Sequence, residues 1–273
     1  MRASDGRTLR AYDAGADEPD ASTLFWHHGS PHTGVPMEPL LADAASRGIR
    51  LITYARPSYG ASTPHPGRDV AAAAADAAQI ADALGVGAFA VMGASGGGPH
   101  ALACGALLGD RVTAVATFAS PAPFTDAFDW FAGMQDDGAL RSAREGREAR
   151  ARFAETEEFD PDVFTAADWA AVQGAWAALG QDAMRANEAG PDGLVDDDVA
   201  FAAPWGFAPA EVDVPVLVVH GGEDRMIPAT HGQALIRAIP RPELWLRPRD
   251  GHVSVLAALP LAIDWLRGQT ATA

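Results

Sequence analysis

Ala88-Phe89-Ala90-Val91-Met92-Gly93-Ala94-Ser95-Gly96-Gly97-Gly98-Pro99-His100 is the stretch that decides the fold. A short apolar run stops at Gly93-Ala94-Ser95-Gly96-Gly97, and a small-residue segment rich in helix formers follows. Strand, sharp turn and helix in that order place Ser95 at the tip of a nucleophile elbow. Gly93 and Gly97 stand where any Cβ would strike the neighbouring strand or helix. The helix behind the turn offers free N–H groups and a dipole that favour developing negative charge at the serine. Pro99 falls in its first turn, where a missing N–H costs little.

Other loops that join a strand to a helix fit less well. Gly93, Gly96, Gly97 and Gly98 do not have the spacing of a dinucleotide-binding turn, and no acid-bearing partner strand follows about twenty residues later. A phosphate-binding P-loop requires a lysine, whereas all 20 basic residues are arginines. The same absence removes Schiff-base, pyridoxal-phosphate and lysine-base chemistry.

Outward from the elbow, strand and helix patterns alternate from residue 7 to about 120 and resume at 214. Strands are predicted at Thr8–Asp13, Thr23–His27, Arg50–Tyr54, Ala88–Met92, Val112–Ala119, Val214–Val219 and Glu243–Leu246. Several are near-continuous apolar runs, as in parallel strands buried on both faces. Helices are predicted near 36–47, 69–84 (behind Asp69 as N-cap), 97–108, 230–239 and 253–267. The pattern is that of an α/β protein with a mostly parallel central sheet and helices on both faces. Residues 121–210 differ. They are helical and charged, with prolines at both edges (Pro121 and Pro123, Pro204 and Pro209). They read as a helical cap inserted into a core made of 1–120 and 211–273. Within the insert, Arg141/Glu145, Arg144/Glu148 and Glu148/Arg152 predict one solvated helix over 139–158. Thr165-Ala-Ala-Asp168 reads as a capping box opening a helix through Leu179. Asp196-Asp197-Asp198 reads as negative charge at the start of a helix through Ala202. Only Gln269–Ala273 reads as a loose tail.

A formal charge of −16 disfavours nucleic acid and anionic membrane surfaces as partners. No run approaches about 18 apolar residues, the length a transmembrane helix needs. The first six residues lack the apolar core of a signal peptide, and the one cysteine, Cys104, allows no intrachain disulfide. A cytoplasmic protein acting on small molecules is expected, with its oligomeric state open.

A serine hydroxyl needs a general base, and the base needs an orienting acid. His252, in Arg249-Asp250-Gly251-His252, follows the last predicted strand and falls on the same sheet edge as Ser95. The acid should follow the preceding strand, where the chain reads His220-Gly221-Gly222-Glu223-Asp224. Asp224 is preferred over Glu223, and Asp126, just after the strand at 112–119, is the rival. Oxyanion donors are expected at the N–H groups of Gly96 and of Ser30, in His28-Gly29-Ser30-Pro31.

With these residues placed, the chain resembles the α/β-hydrolase superfamily over nearly its whole length. The resemblance rests on His28-Gly29-Ser30-Pro31, Arg56-Pro57-Ser58-Tyr59-Gly60-Ala61-Ser62, Gly93-Ala94-Ser95-Gly96-Gly97, Asp224 and His252. Ala203-Pro204-Trp205-Gly206-Phe207 and Asp250-Gly251-His252-Val253-Ser254-Val255-Leu256 look like a subgroup of actinobacterial hydrolases of poorly defined specificity. The resemblance implies the order Ser…Asp…His and a cap between what the superfamily counts as strands six and seven, here the strands at 112–119 and 214–219. Relatives that are dehalogenases or epoxide hydrolases carry aspartate at the elbow, so Ser95 argues against both.

The resemblance implies hydrolysis of small to medium, uncharged esters or lactones, with no cofactor and no metal. Arg56 and Arg225 are the arginines that could admit an anionic substrate instead. C–C bond hydrolysis, aminopeptidase action, cofactor-free perhydrolysis and a slow-turnover ligand receptor remain open. Phe124, Trp130 and Met134 are expected to line an apolar pocket over Ser95. His27, His28 and His32 could suggest a metal site, but a strand-ending His27 and a His28 that props the oxyanion loop explain them. Cys104 is expected to be buried.

Overall fold

The computed structural model describes residues 1–15 and 21–270. Seven strands form one sheet: β1 (Ala11–Ala14), β2 (Thr23–His27), β3 (Arg50–Tyr54), β4 (Phe89–Ala94), β5 (Val112–Phe118), β6 (Val216–Gly221) and β7 (Pro242–Arg247). Their spatial order is β1-β3-β2-β4-β5-β6-β7, with β1 antiparallel to β3 and every other neighbouring pair parallel. All seven expected strands are present, although β1 begins at Ala11, three residues after the expected Thr8. Two shifts matter: β4 continues to Ala94, so strand geometry reaches the elbow itself, and β6 begins at Val216 and runs to Gly221.

Side chains alternate across the sheet and are buried on both faces. Phe25, Val91, Val115 and Val218 pack with Ile80 of α2 (Ala72–Ala83), Leu102 of α3 (Gly97–Leu107) and Leu235 of α9 (Ala229–Ala238). On the other face, Leu24, Met92, Ala116 and Leu217 pack with Leu40 of α1 (Leu40–Ser46) and Ile263 of α10 (Leu259–Thr270). Each such aliphatic side chain, fully buried, contributes about 1.5–3 kcal/mol. Asp69 Oδ1 accepts the Ala72 N–H at 2.9 Å, but α2 begins only at Ala72 with Ala71 at its N-cap position, so Asp69 stands before the helix and not at its cap. The predicted helix at 253–267 divides into a 3-10 turn, Ser254–Ala258, and α10. Residues 269 and 270 of the expected tail belong to α10, and 271–273 lie outside the described residues.

Five helices stand between β5 and β6: α4 (Gly138–Arg144), α5 (Arg147–Ala154), α6 (Ala166–Gln173), α7 (Ala177–Glu188) and α8 (Asp192–Ala202). Three expectations need correction. The single helix over 139–158 is broken at Gly146, whose φ of 105° no right-handed helix allows. Arg144 turns away from Glu148 to donate to the Ala202 carbonyl at 2.5 Å and to lie over the Phe124 ring at 3.8 Å. The helix opened by Thr165 has its capping box but stops at Gln173, before Gly174. The acid triplet 196–198 does not open a helix. It lies in the middle of α8 and is buried. No helix among the described residues is long and apolar enough to cross a membrane.

Candidate active site

Ser95 ends the strand-to-helix turn with a φ of 51°, a left-handed conformation that costs a non-glycine residue about 1–2 kcal/mol. Its surroundings hold it there. The Ser95 N–H donates to the Phe118 carbonyl of β5 at 2.7 Å, and the Gly98 N–H donates back to the Ser95 carbonyl at 2.9 Å. A Cβ on Gly93 would collide with the Gly97 carbonyl, and one on Gly97 with the His27 carbonyl. Both glycines are therefore dictated by close backbone approach, as the motif demands.

His252 Nε2 lies 2.9 Å from Ser95 Oγ, and its Nδ1 lies 2.9 Å from Asp224 Oδ2. The tautomer follows from the partners. Asp224 Oδ1 accepts the N–H groups of Met226 and Ile227 at 3.0 and 2.8 Å, so the carboxylate is an acceptor on both oxygens. Nδ1 must then carry the proton, leaving the Nε2 lone pair to accept from the serine hydroxyl. Burial opposes the charged imidazolium, but Asp224 more than offsets it and raises the His252 pKa above its ordinary value. Glu223 and Asp126 are exposed, and neither bonds to His252 among the described residues. His220 Nε2 donates to the Ile227 carbonyl at 2.8 Å, closing the Asp224 turn from behind.

The loop after β2 is set by Arg56 and His28. The Arg56 N–H donates to His28 Nε2 at 3.2 Å, which puts the ring proton on Nδ1, 2.6 Å from the Gly29 carbonyl. Burial holds the His28 pKa well below its usual value, so the ring is neutral. The Arg56 guanidinium donates to the carbonyls of His28 and Gly29. Carbonyl and N–H point in opposite directions across a trans peptide, so the Ser30 N–H points away from that guanidinium. Neither it nor the Gly96 N–H finds an acceptor among the described residues. Ser30 and Gly96 are adjacent, since a Cβ on Gly96 would overlap Ser30 Oγ.

Behind this loop lies a buried ionic centre that the sequence reading missed. Asp197 Oδ2 accepts from Ser30 Oγ at 2.5 Å, Arg56 Nη2 at 2.6 Å and Tyr59 OH at 2.9 Å, while Oδ1 accepts from Arg68 Nη2 at 2.6 Å. Burial opposes ionisation of Asp197, but Arg56 and Arg68 hold its pKa well below the carboxylate range. Arg56 is fully buried, with its two Nη groups divided among Asp197, Ser30 Oγ and the His28 and Gly29 carbonyls. Arg225 is exposed and donates to the Asp162 carbonyl at 3.2 Å. No sequence pattern links an acid in α8 to arginines about 130 residues earlier.

Other expected residues fall as follows. Trp130 is 2% exposed, and its indole N–H donates to the Ala122 carbonyl at 2.7 Å. His231 completes that contact, donating to the Trp130 carbonyl at 2.9 Å and accepting from the Ala122 N–H at 3.1 Å. Trp130 therefore fastens the start of the insert to the core. Phe124 and Met134 are half-buried, and Phe124 lies edge-on to Trp130. His27 ends β2 against the buried Cys104, whose thiol pKa burial raises, and His32 lies 3.3 Å from Asp182. Among the described residues, no three His, Cys, Asp or Glu side chains converge as metal ligands.

The relatives agree with the architecture. The chain is 26% identical to a Synechocystis sp. protein named as a candidate non-heme chloroperoxidase, over 93% of this chain and 88% of that one. An esterase from Thermogutta terrifontis shares the fold with a TM-score of 0.68 and 22% identity, covering 98% of this chain and 96% of the esterase. An enol-lactonase from Burkholderia xenovorans LB400 superposes with a TM-score of 0.71 at 19% identity, covering 97% and 98%. The sequence model of the alpha/beta hydrolase fold matches residues 23–258, so the chain belongs to the α/β hydrolase family.

Proposed function

We propose that this protein is a serine hydrolase that cleaves small to medium carboxylic esters or lactones through an acyl-enzyme. The unbroken chain of contacts from Ser95 Oγ through His252 to Asp224 carries the reading, each link at 2.9 Å. His252 Nε2 takes the Ser95 proton as Oγ attacks the ester carbonyl, and Asp224 stabilises the imidazolium. The Gly96 and Ser30 N–H groups receive the oxyanion, each contributing about 3 kcal/mol to the transition state. His252 then protonates the leaving alcohol and later activates water against the acyl group. The helices of 121–210 serve as a cap over this site. Phe124 and Met134 form its apolar wall, with Trp130 packed behind Phe124.

A second reading has support from the likeness to the candidate chloroperoxidase. On that reading, hydrogen peroxide replaces water in releasing the acyl group, and the peracid so formed oxidises a halide ion in solution to hypohalous acid, the halogenating species, returning the carboxylic acid.

Intact mass after a fluorophosphonate probe, on wild type and Ser95→Ala, tests the first reading beside p-nitrophenyl acetate and butyrate turnover. One adduct on wild type alone, with ester turnover, is expected. A folded wild type that takes no adduct would overturn the reading. Peroxide-dependent halogenation in acetate that exceeds ester turnover would favour the second reading.

A further inference from the structure

Asp168 belongs to the insert, yet most of its bonds reach the loop that carries His252. Oδ1 accepts the Val253 N–H at 2.8 Å, the Ser254 N–H at 2.8 Å and the Ser254 hydroxyl at 2.9 Å. Oδ2 accepts the Thr165 N–H at 3.0 Å while the Asp168 N–H donates to Thr165 Oγ1 at 3.2 Å, which is the capping box of α6, and Oδ2 also accepts the Thr165 hydroxyl at 2.9 Å. The residue is fully buried. It also presses on the other side of His252, because a Cβ on Gly251 would overlap the carboxylate. Ser254 Oγ, held by Asp168, in turn accepts the Gly251 N–H at 2.8 Å. The backbone on both flanks of His252 is thereby fixed to one carboxylate from outside the core. Capping a helix needs only the bonds to Thr165, and the three bonds to residues 253 and 254 are additional to it.

We infer that Asp168 is a positioning residue for His252, setting the imidazole between Ser95 and Asp224 from the insert. The assignment rests on the Ser95–His252–Asp224 reading above. Asp224 orients the ring through Nδ1, but a ring on a mobile backbone could swing with its partner. Asp168 removes that freedom by holding the peptide groups on which the ring is mounted. The groups facing His252 are Asp224, His220 behind it (Nε2 3.7 Å from Asp224 Oδ2) and Asp168 from α6. The Asp168 charge adds to that of Asp224 in favouring the imidazolium.

The test compares wild type, Asp168→Asn and Thr165→Val by fluorophosphonate labelling rate from pH 5 to 9. Ester kcat and KM are normalised to labelled sites, and Tm is measured alongside. Asp168→Asn keeps the shape but loses the charge and one acceptor oxygen. Its kcat should fall by about 10²-fold with KM little changed, as for a small misplacement of a reacting group. Its acid limb should move to lower pH. Thr165→Val removes the hydroxyl that caps α6 and bonds Asp168 Oδ2 but leaves the Asp168 charge and its three Oδ1 bonds to Val253 and Ser254, so it should lower Tm and leave the acid limb in place. An unchanged acid limb and kcat in Asp168→Asn overturns the assignment, whatever the Tm. Should that variant fail to fold, Ser254→Ala decides: lowered kcat per labelled site supports positioning, and unchanged kcat refutes it. A wild type that takes no label removes the underlying hydrolase reading instead.

Discussion

Ser30 Oγ donates to Asp197 Oδ2 across 2.5 Å, joining the loop after β2 to the middle of α8. One carboxylate from the insert therefore fixes the loop that presents the Ser30 N–H. The same oxygen accepts from Arg56, which also holds the carbonyls of His28 and Gly29. Loop geometry at the proposed oxyanion site thus depends on an ionic centre on the side away from the substrate.

Asp197→Ala leaves Arg56 buried without its counter-charge and Arg68 with only the more distant Asp196 at 3.9 Å. Such a loss costs about 3–5 kcal/mol. Urea unfolding should show a loss of that size and activity should fall as the Ser30 loop relaxes. Wild-type stability would mean that solvent already reaches the two guanidiniums.

The strain at Ser95 gives a second expectation. Ser95→Ala should abolish ester turnover, and Ser95→Gly should do the same while being the more stable of the two. Glycine adopts the φ of 51° without the Cβ penalty, a difference of about 1 kcal/mol. A Tm for Ser95→Gly below that of Ser95→Ala contradicts the strain argument.

Asp224→Asn should fold, because Oδ1 can still accept from Met226 and Ile227. The amide would turn the His252 ring to the other tautomer, with a loss of about 10⁴ in kcat. If Asp126→Asn proves the more damaging change, the acid has been misassigned.

On the proposed mechanism, catalysis by neutral His252 sets the acid limb of kcat/KM. Since Asp224 raises its pKa, activity should be lost as pH falls through a midpoint above the ordinary value of about 6.5. A midpoint below that value would deny Asp224 this electrostatic role.

Stability has its own pH dependence. Burial lowers the pKa of His27, His28, His100, His220 and His231, and brings His100 and His231 to about 4. A lowered histidine refuses a proton that the unfolded chain accepts. Stability from these groups is therefore present above about pH 6.5 and lost as pH falls toward 4. His252 and Asp198, both raised, act in the opposite sense but are fewer. Unfolding free energy should be clearly smaller at pH 5 than at pH 7. Equal values would show that these rings titrate normally.

The elbow, His252 and the strand framework were legible in the sequence because their requirements are local. A turn that admits no Cβ must show glycine at 93 and 97, and strands buried on both faces must be apolar throughout. The insert resisted the same reading. Charge pairs at 141–152 suit a continuous helix, but one glycine with positive φ at 146 breaks it. The acid triplet suits a helix start, yet its burial depends on Arg56, Arg68 and Arg150, which no spacing rule connects to it. Asp168 was legible as a cap residue and illegible as a partner of Val253 and Ser254, which lie more than 80 positions away.

Three aspartates of the insert, 168, 182 and 197, each accept from a different core segment: Val253 and Ser254, His32 and Thr33, and Arg56 and Arg68. Excising residues 121–210 would leave two interior guanidiniums without their counter-charge and the N–H groups of Thr33, Val253 and Ser254 without acceptors. Residues 121–210 and the rest of the chain are therefore expected to melt as one unit, and trimming the insert to cost the fold. If the proposed site is right, new specificities in this scaffold are to be sought by changing individual side chains such as Phe124 and Met134, not by transplanting the helical block.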